Sequence, residues 1–167
     1  MAHPIQSPRF GALAALALAL ALSPSARAEV RPGDPFPQLP AGAGRPAARV
    51  LLVDFWASWC APCKSSFFSY DRLQADFGSR GLAIVAVSVD EDPAAYAAFV
   101  ARMKPTFTTV MDPGQGLVEA VGVPAMPTSF LLDRSGKVRF MHAGFRGAET
   151  AGEIRREVEG LLEEPAR

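Results

Sequence analysis

Cysteine is scarce in this chain: two in 167 residues, at positions 60 and 63. Histidine is equally scarce, with His3 and His142 alone. A structural zinc site takes four ligands, and two cysteines with two scattered histidines are a thin supply. Charge of one sign is also lacking, because 17 basic residues face 17 acidic ones. No basic block is present, so nothing suggests nucleic acid as a partner. There is no internal repeat. An apolar run long enough for a comfortable membrane span, about 20 residues, is missing too; Gly11 to Leu22 supplies only twelve.

That short run has another reading. His3 and Arg9 make a weakly basic start, Gly11 to Leu22 is Ala/Leu-rich, and Ala26-Arg27-Ala28 offers a small-residue cleavage site before Glu29. Residues 1–28 are therefore expected to be a secretory signal, with an uncleaved signal anchor as the alternative. Export would place the cysteines where disulfides persist, in a periplasmic compartment. The mature chain would be slightly acidic, at 15 basic against 17 acidic residues. Residues 29–48 are rich in Pro, Gly and Ala and read as an extended lead-in, with one short edge strand near Phe36. Residues 49–167 have the length of one domain.

The cysteines sit in Asp54-Phe55-Trp56-Ala57-Ser58-Trp59-Cys60-Ala61-Pro62-Cys63-Lys64. Upstream, Val50 to Trp56 is almost continuously apolar, which suits a strand covered on both faces. Downstream, Pro62 to Phe77 has apolar residues at helical spacing and is closed by Gly78 and Gly81. The pair therefore lies where a strand ends and a helix begins. A free thiol with a pKa of about 8.5 is only ~3% thiolate at pH 7. The unpaired N–H groups and partial positive charge of a helix N-terminus favour the thiolate. Cys60, expected at the exposed first turn, is assigned as nucleophile. Cys63, three residues on and on nearly the same side, can attack the mixed disulfide and release the partner. A purely structural bridge is the rival, but closing about four residues removes only ~2 kcal/mol of unfolded-state entropy.

Val-Asp-Phe-Trp-Ala-x-Trp-Cys-x-Pro-Cys-Lys resembles the active-site segment of the thioredoxin superfamily. Met126-Pro127-Thr128-Ser129-Phe130-Leu131-Leu132-Asp133 resembles its cis-proline segment. With a signal in front, the chain is most similar to the TlpA/ResA branch of secreted thiol–disulfide oxidoreductases, over about residues 34–163. The resemblance implies an α/β thioredoxin fold: a central mixed sheet flanked by helices on both faces, with a TlpA/ResA-type helix–strand insertion. It implies a cis Met126–Pro127 bond, with the Met126 backbone pairing with an extended partner chain. It also implies that Asp54, six residues before Cys60, is a buried acid that takes a proton from Cys63. An aspartate among Leu51, Leu52, Val53, Phe55 and Trp56 is costly to bury without a purpose, and desolvation would raise its pKa; a solvated strand edge is the alternative. Trp56 and Trp59 are expected to wall the site, with Trp59 touching substrate. Two positions depart from the branch, which often has a glutamate three residues after the second cysteine and a proline two further on. Here they are Ser66 and Phe68.

The remaining elements follow from punctuation. Leu82 to Val89 reads as a second buried strand. Asp90-Glu91-Asp92-Pro93 leads into a helix over Ala94 to Met103, its carboxylates suiting a helix N-terminus. Thr106 to Met111 reads as a short strand and Gln115 to Val121 as a short helix. Thr128 to Asp133 and Lys137 to Ala143 form a hairpin around Arg134-Ser135-Gly136, and Glu149 to Leu162 is an amphipathic helix. Met103, Met111, Met126 and Met141 read as core filler. His142 is expected to face solvent or a neighbour.

The expectation is a monomeric, exported thiol–disulfide oxidoreductase needing no cofactor or metal. Its partners would be protein thiols and disulfides, with electrons from a membrane thiol donor. By family the direction is reduction, as in cytochrome c maturation or copper-protein assembly. Two other functions fit the residues less fully: a thiol peroxidase, and a copper chaperone using Cys60, Cys63 and His142, since soft thiolates suit Cu(I).

Overall fold

The structure, a computed structural model, describes residues 29–44 and 47–165. The signal expected over residues 1–28 lies outside the described residues. Among the described residues five strands form one sheet in the order β3-β2-β1-β4-β5: β1 Val50–Trp56, β2 Leu82–Ser88, β3 Thr108–Met111, β4 Thr128–Asp133 and β5 Val138–Ala143. β1 runs parallel to β2 and antiparallel to β4, and β2 is parallel to β3. The sheet is thus mixed. Every residue of β1 is buried, as its apolar run requires for a central strand.

The α-helices among the described residues are α1 Ala61–Phe77, α2 Pro93–Met103, α3 Gly116–Val121 and α4 Ala148–Glu163. Register shows which face they cover. Thr109, Ala86, Asp54, Ser129 and His142 form one row across the sheet. Tyr96 of α2 bonds to Thr109, Tyr70 of α1 to Asp54 and Glu157 of α4 to His142, so these three helices share that face. On the other face Phe130 takes Phe36 of the lead-in at 5.3 Å and Phe55 edge-on at 6.0 Å between ring centroids. The lead-in is tied to α3 by Val30 N donating to Val121 O. Its expected edge strand is a single antiparallel bridge, Pro35 with Lys137. The prolines around Phe36 remove the donors a longer ladder would need.

Helix α2 and strand β3 are the expected insertion, and β3 is an edge of the sheet. Asp92 caps α2 by accepting from Ala94 N at 2.8 Å. Gly81, at φ 111°, turns the chain from α1 into β2. A side chain there would be strained by its φ and would press on Arg49 at 3.0 Å.

Candidate active site

The site grows from the C-terminal ends of two parallel strands. Trp56 of β1 pairs with Ser88 of β2, so the two residues that follow, Ser58 and Asp90, come level with one another. Asp90 accepts from Ser58 N at 3.1 and 3.0 Å and from Ser58 Oγ at 2.9 Å, and its other oxygen accepts from Ser88 Oγ at 2.8 Å. The loop that delivers the cysteines is thereby pinned to the neighbouring strand. The acidic cluster was expected to serve the α2 N-terminus; Asp92 does so, while Asp90 turns the other way and braces the Cys60 loop.

Cys60 and Cys63 are joined as a disulfide, with Cα atoms 5.4 Å apart. Cys60 is the N-cap of α1 and its sulfur accepts from Cys63 N at 3.2 Å. Here a sulfur stands where a capping oxygen ordinarily does, facing unpaired helix N–H groups. The same donor and the helix dipole favour a thiolate on Cys60 when the bridge is open. Pro62 occupies the first turn of α1, where no N–H is needed. Cys60 is less open than expected, 4% exposed, because it caps the helix rather than standing in its first turn. Cys63 is fully enclosed, so access still favours Cys60.

Asp54, on the strand that leads into the cysteine loop, is fully buried, which excludes the solvated-edge alternative. Tyr70 Oη donates to its Oδ1 at 2.9 Å, while Oδ2 has no partner among the described residues. Burial pushes the Asp54 carboxyl well above its ordinary value, and the Tyr70 hydrogen bond only partly offsets this. Tyr70 is itself raised well above 10, first by burial and then by the Asp54 charge. The Ser129 and Ser66 hydroxyls near the same phenol pull it back only in part. Ser66 also donates to the Cys63 carbonyl at 3.0 Å. A serine thus stands beside Cys63 where the branch often has glutamate, a neutral hydroxyl in place of a carboxylate.

Trp59 is 71% exposed beside Cys60. Trp56 does not wall the site. It is buried between α1 and α2, against Phe67 at 4.9 Å and Phe99 at 4.4 Å, because it shares the Asp54 face of β1. The Met126–Pro127 peptide is cis. Phe55 pairs with Thr128, so Pro127 borders the same end of β1 from which the cysteine loop springs. Gly144 N donates to Pro127 O at 2.7 Å. Met126 packs partly buried against the core, as do Met103 and Met141. His142 is not brought to the cysteines. It sits on β5 with Nε2 at 2.7 Å from Glu157 and Nδ1 at 3.8 Å from Glu153. Among the described residues no group of three or more His, Cys, Asp or Glu is arranged to hold a metal.

Tyr70 and Asp90 were missed in the sequence. Tyr70 had a signal: it lies seven residues after Cys63, on the same inward stripe of α1, and a buried tyrosine needs a partner just as a buried aspartate does.

A disulfide-forming cysteine pair at the start of a helix, Cys60 as its N-cap, on a mixed sheet whose central strand buries a carboxyl, defines a thioredoxin-fold protein with a redox-capable centre. The Redoxin family matches residues 44–157. The chain belongs to the Redoxin family, in the TlpA/ResA-like branch of the thioredoxin superfamily. It is 34% identical over 88 residues to the thiol-disulfide oxidoreductase ResA of Bacillus thuringiensis (strain Al Hakam), covering 53% of this chain and 51% of that one. It is 31% identical over 111 residues to ResA of Geobacillus thermodenitrificans, covering 66% and 62%. The chain thus spans roughly half to three-fifths of the length of these relatives. A crystal structure of a candidate thiol:disulfide interchange protein DsbE from Chlorobium tepidum superposes with a TM-score of 0.74 at 34% identity, over 80% of this chain and 99% of that one.

Proposed function

We propose that the chain is an exported thiol–disulfide oxidoreductase that reduces protein disulfides. The observation that carries this reading is the Cys60 sulfur at the N-cap of α1, held by the Cys63 N–H, in a chain whose preceding strand buries a carboxyl of raised proton affinity, Asp54. In the dithiol form the Cys60 thiolate attacks a partner disulfide. One partner sulfur leaves as a thiolate, and a mixed disulfide forms on Cys60. Cys63 then gives its proton to Asp54, attacks the Cys60 sulfur, and releases the second partner thiol. Two electrons pass to the partner, and the Cys60–Cys63 disulfide remains. Trp59 and the edge at Met126 and Pro127 flank the incoming chain, whose backbone pairs beside Met126 as an added strand would.

A membrane thiol carrier returns the electrons, and the work served is cytochrome c maturation or copper-protein assembly, as the branch implies. The mature chain begins after Ala28, acts in the periplasm as a monomer, and uses no cofactor. No helix among the described residues is long and apolar enough to cross a membrane.

The test is the reduction potential of the pair in defined thiol buffers. A value below about −220 mV is expected. A value near −120 mV would make the protein an oxidant and overturn the direction. Cys63→Ser should accumulate the Cys60 mixed disulfide with protein substrates; if Cys60→Ser does so instead, the two roles are reversed.

A further inference from the structure

Among the described residues two large hydrophobic side chains stand largely in solvent: Trp59 at 71% and Phe68 at 61% exposure. They fall within ten positions of each other, on either side of the cysteine pair. Cys63, Ser66, Phe67 and Tyr70 form the buried stripe of α1. The opposite stripe runs Ala61, Lys64, Ser65 and Phe68, at i, i+3, i+4 and i+7, and all four are exposed. A lone exposed apolar side chain is ordinary. What gives this pair meaning is its position. Cys60 reacts only with a disulfide that reaches its sulfur, so the residues flanking the partner's cysteine come close to Trp59 and to the start of α1, which Cys60 caps, and on the side away from Met126 the exposed stripe of α1 is open to them.

Distance and charge restrict what fits. From Ala61 to Phe68 the helix rises about 10 Å. An extended chain advances about 3.3 Å per residue, so Phe68 meets a side chain about three residues from the partner's cysteine. Lys64 carries the one charge on the strip between, and the helix N-terminus adds a partial positive charge. An acidic neighbour is favoured there and a basic one repelled.

We propose that Trp59 and Phe68 form a docking surface for an extended, disulfide-bearing polypeptide with an apolar side chain about three residues from its reacting cysteine and no basic residue between. This rests on the exchange reading above and gives its substrate class. Phe68 is a specificity residue here; the chemistry stays with the cysteines.

The test uses the reduced protein in single turnovers with peptide–glutathione mixed disulfides carrying Phe or Lys three residues from the cysteine, and with oxidised glutathione as the small disulfide. In each reaction the protein dithiol becomes the Cys60–Cys63 disulfide, and the substrate disulfide takes up two electrons and two protons. The wild type should prefer the Phe peptide. Phe68→Ala should lower the ratio of the Phe-peptide rate to the oxidised-glutathione rate about fivefold to tenfold, the scale of one interface contact of about 1–1.4 kcal/mol. Phe68→Leu should keep most of the ratio. An unchanged ratio in Phe68→Ala, or an equal fall with both substrates, overturns the proposal. So does a shift from dimer to monomer in sedimentation with selectivity intact, which would assign the surface to a second copy. A wild type that reacts with neither disulfide overturns the exchange reading itself.

Discussion

Tyr70→Phe removes one oxygen from a fully buried ring and separates proton handling from packing. In the native protein the Tyr70 hydroxyl donates to Asp54 Oδ1 at 2.9 Å, and Oδ2 has no partner among the described residues. That bond is the one influence that favours the carboxylate against burial. A hydrogen bond to a charged group contributes about 1.5–3 kcal/mol. Its loss makes ionisation of Asp54 roughly tenfold to a hundredfold less favourable. If Asp54 takes the Cys63 proton, the pH profile of the resolving step must move to higher pH, with a rate at neutral pH lower by about tenfold or more. The assay is release of a chromophoric thiol from a preformed Cys60 mixed disulfide, followed by stopped flow across pH. The first step, attack by Cys60, should keep its profile. In an Asp54→Asn background the same Tyr70→Phe change should leave the profile where it is. A resolving-step profile that stays put in Tyr70→Phe, with only a loss of unfolding free energy, would refute the role of this pair in proton transfer.

Asp54→Asn also alters stability in a pH-dependent way. The folded carboxyl holds its proton above its ordinary value of 3.8, so between 3.8 and the folded value the native state binds more protons than the unfolded one. Wild-type stability should therefore fall as pH rises through that window, and the Asn variant, lacking this slope, should gain on the wild type at neutral pH in urea titrations. A gain confined to acid pH would contradict this sign. Asp90→Ala should cost about 2–3 kcal/mol in the same titrations, since Ser58 and Ser88 lose a charged acceptor; a loss below about 0.5 kcal/mol would mean that the loop holds itself. His142→Ala should lose about 1 kcal/mol through Glu157 and keep its disulfide-exchange rate. Tight Cu(I) binding abolished by that change, in a protein without exchange activity, would instead support the copper chaperone.

The strands and helices were legible because their signals are local. β1 shows as an apolar run, α1 as a helical stripe closed by Gly78 and Gly81, and the β4–β5 hairpin as two runs around Ser135-Gly136. The structure sets their ends within a residue or two of the expectation. The pairing of Cys60 with Cys63 and the burial of Asp54 were legible, because a lone Cys-x-x-Cys and a charge inside a buried strand are conspicuous in any chain. What escaped were pairings between distant positions. Asp90 reaches Ser58 across 32 residues and Tyr70 reaches Asp54 across 16. Both follow from parallel register and helix phase, which no short window of sequence contains. Trp56 was misplaced for a related reason. Proximity to Cys60 along the chain suggested the rim of the site, while the pleat of β1 turns the ring into the core.

The brace on Ser58 bears on reversibility. Asp90 holds the cysteine loop from outside the sulfur chemistry, through bonds to a backbone N–H and two hydroxyls that neither gain nor lose electrons. Nothing in that clamp depends on whether the sulfurs are joined. The exchange proposed above therefore asks for bond changes at the sulfurs and their protons and for none in the clamp itself. A centre of this kind suits a shuttle, which must meet a donor and an acceptor in alternation and present both with the same face.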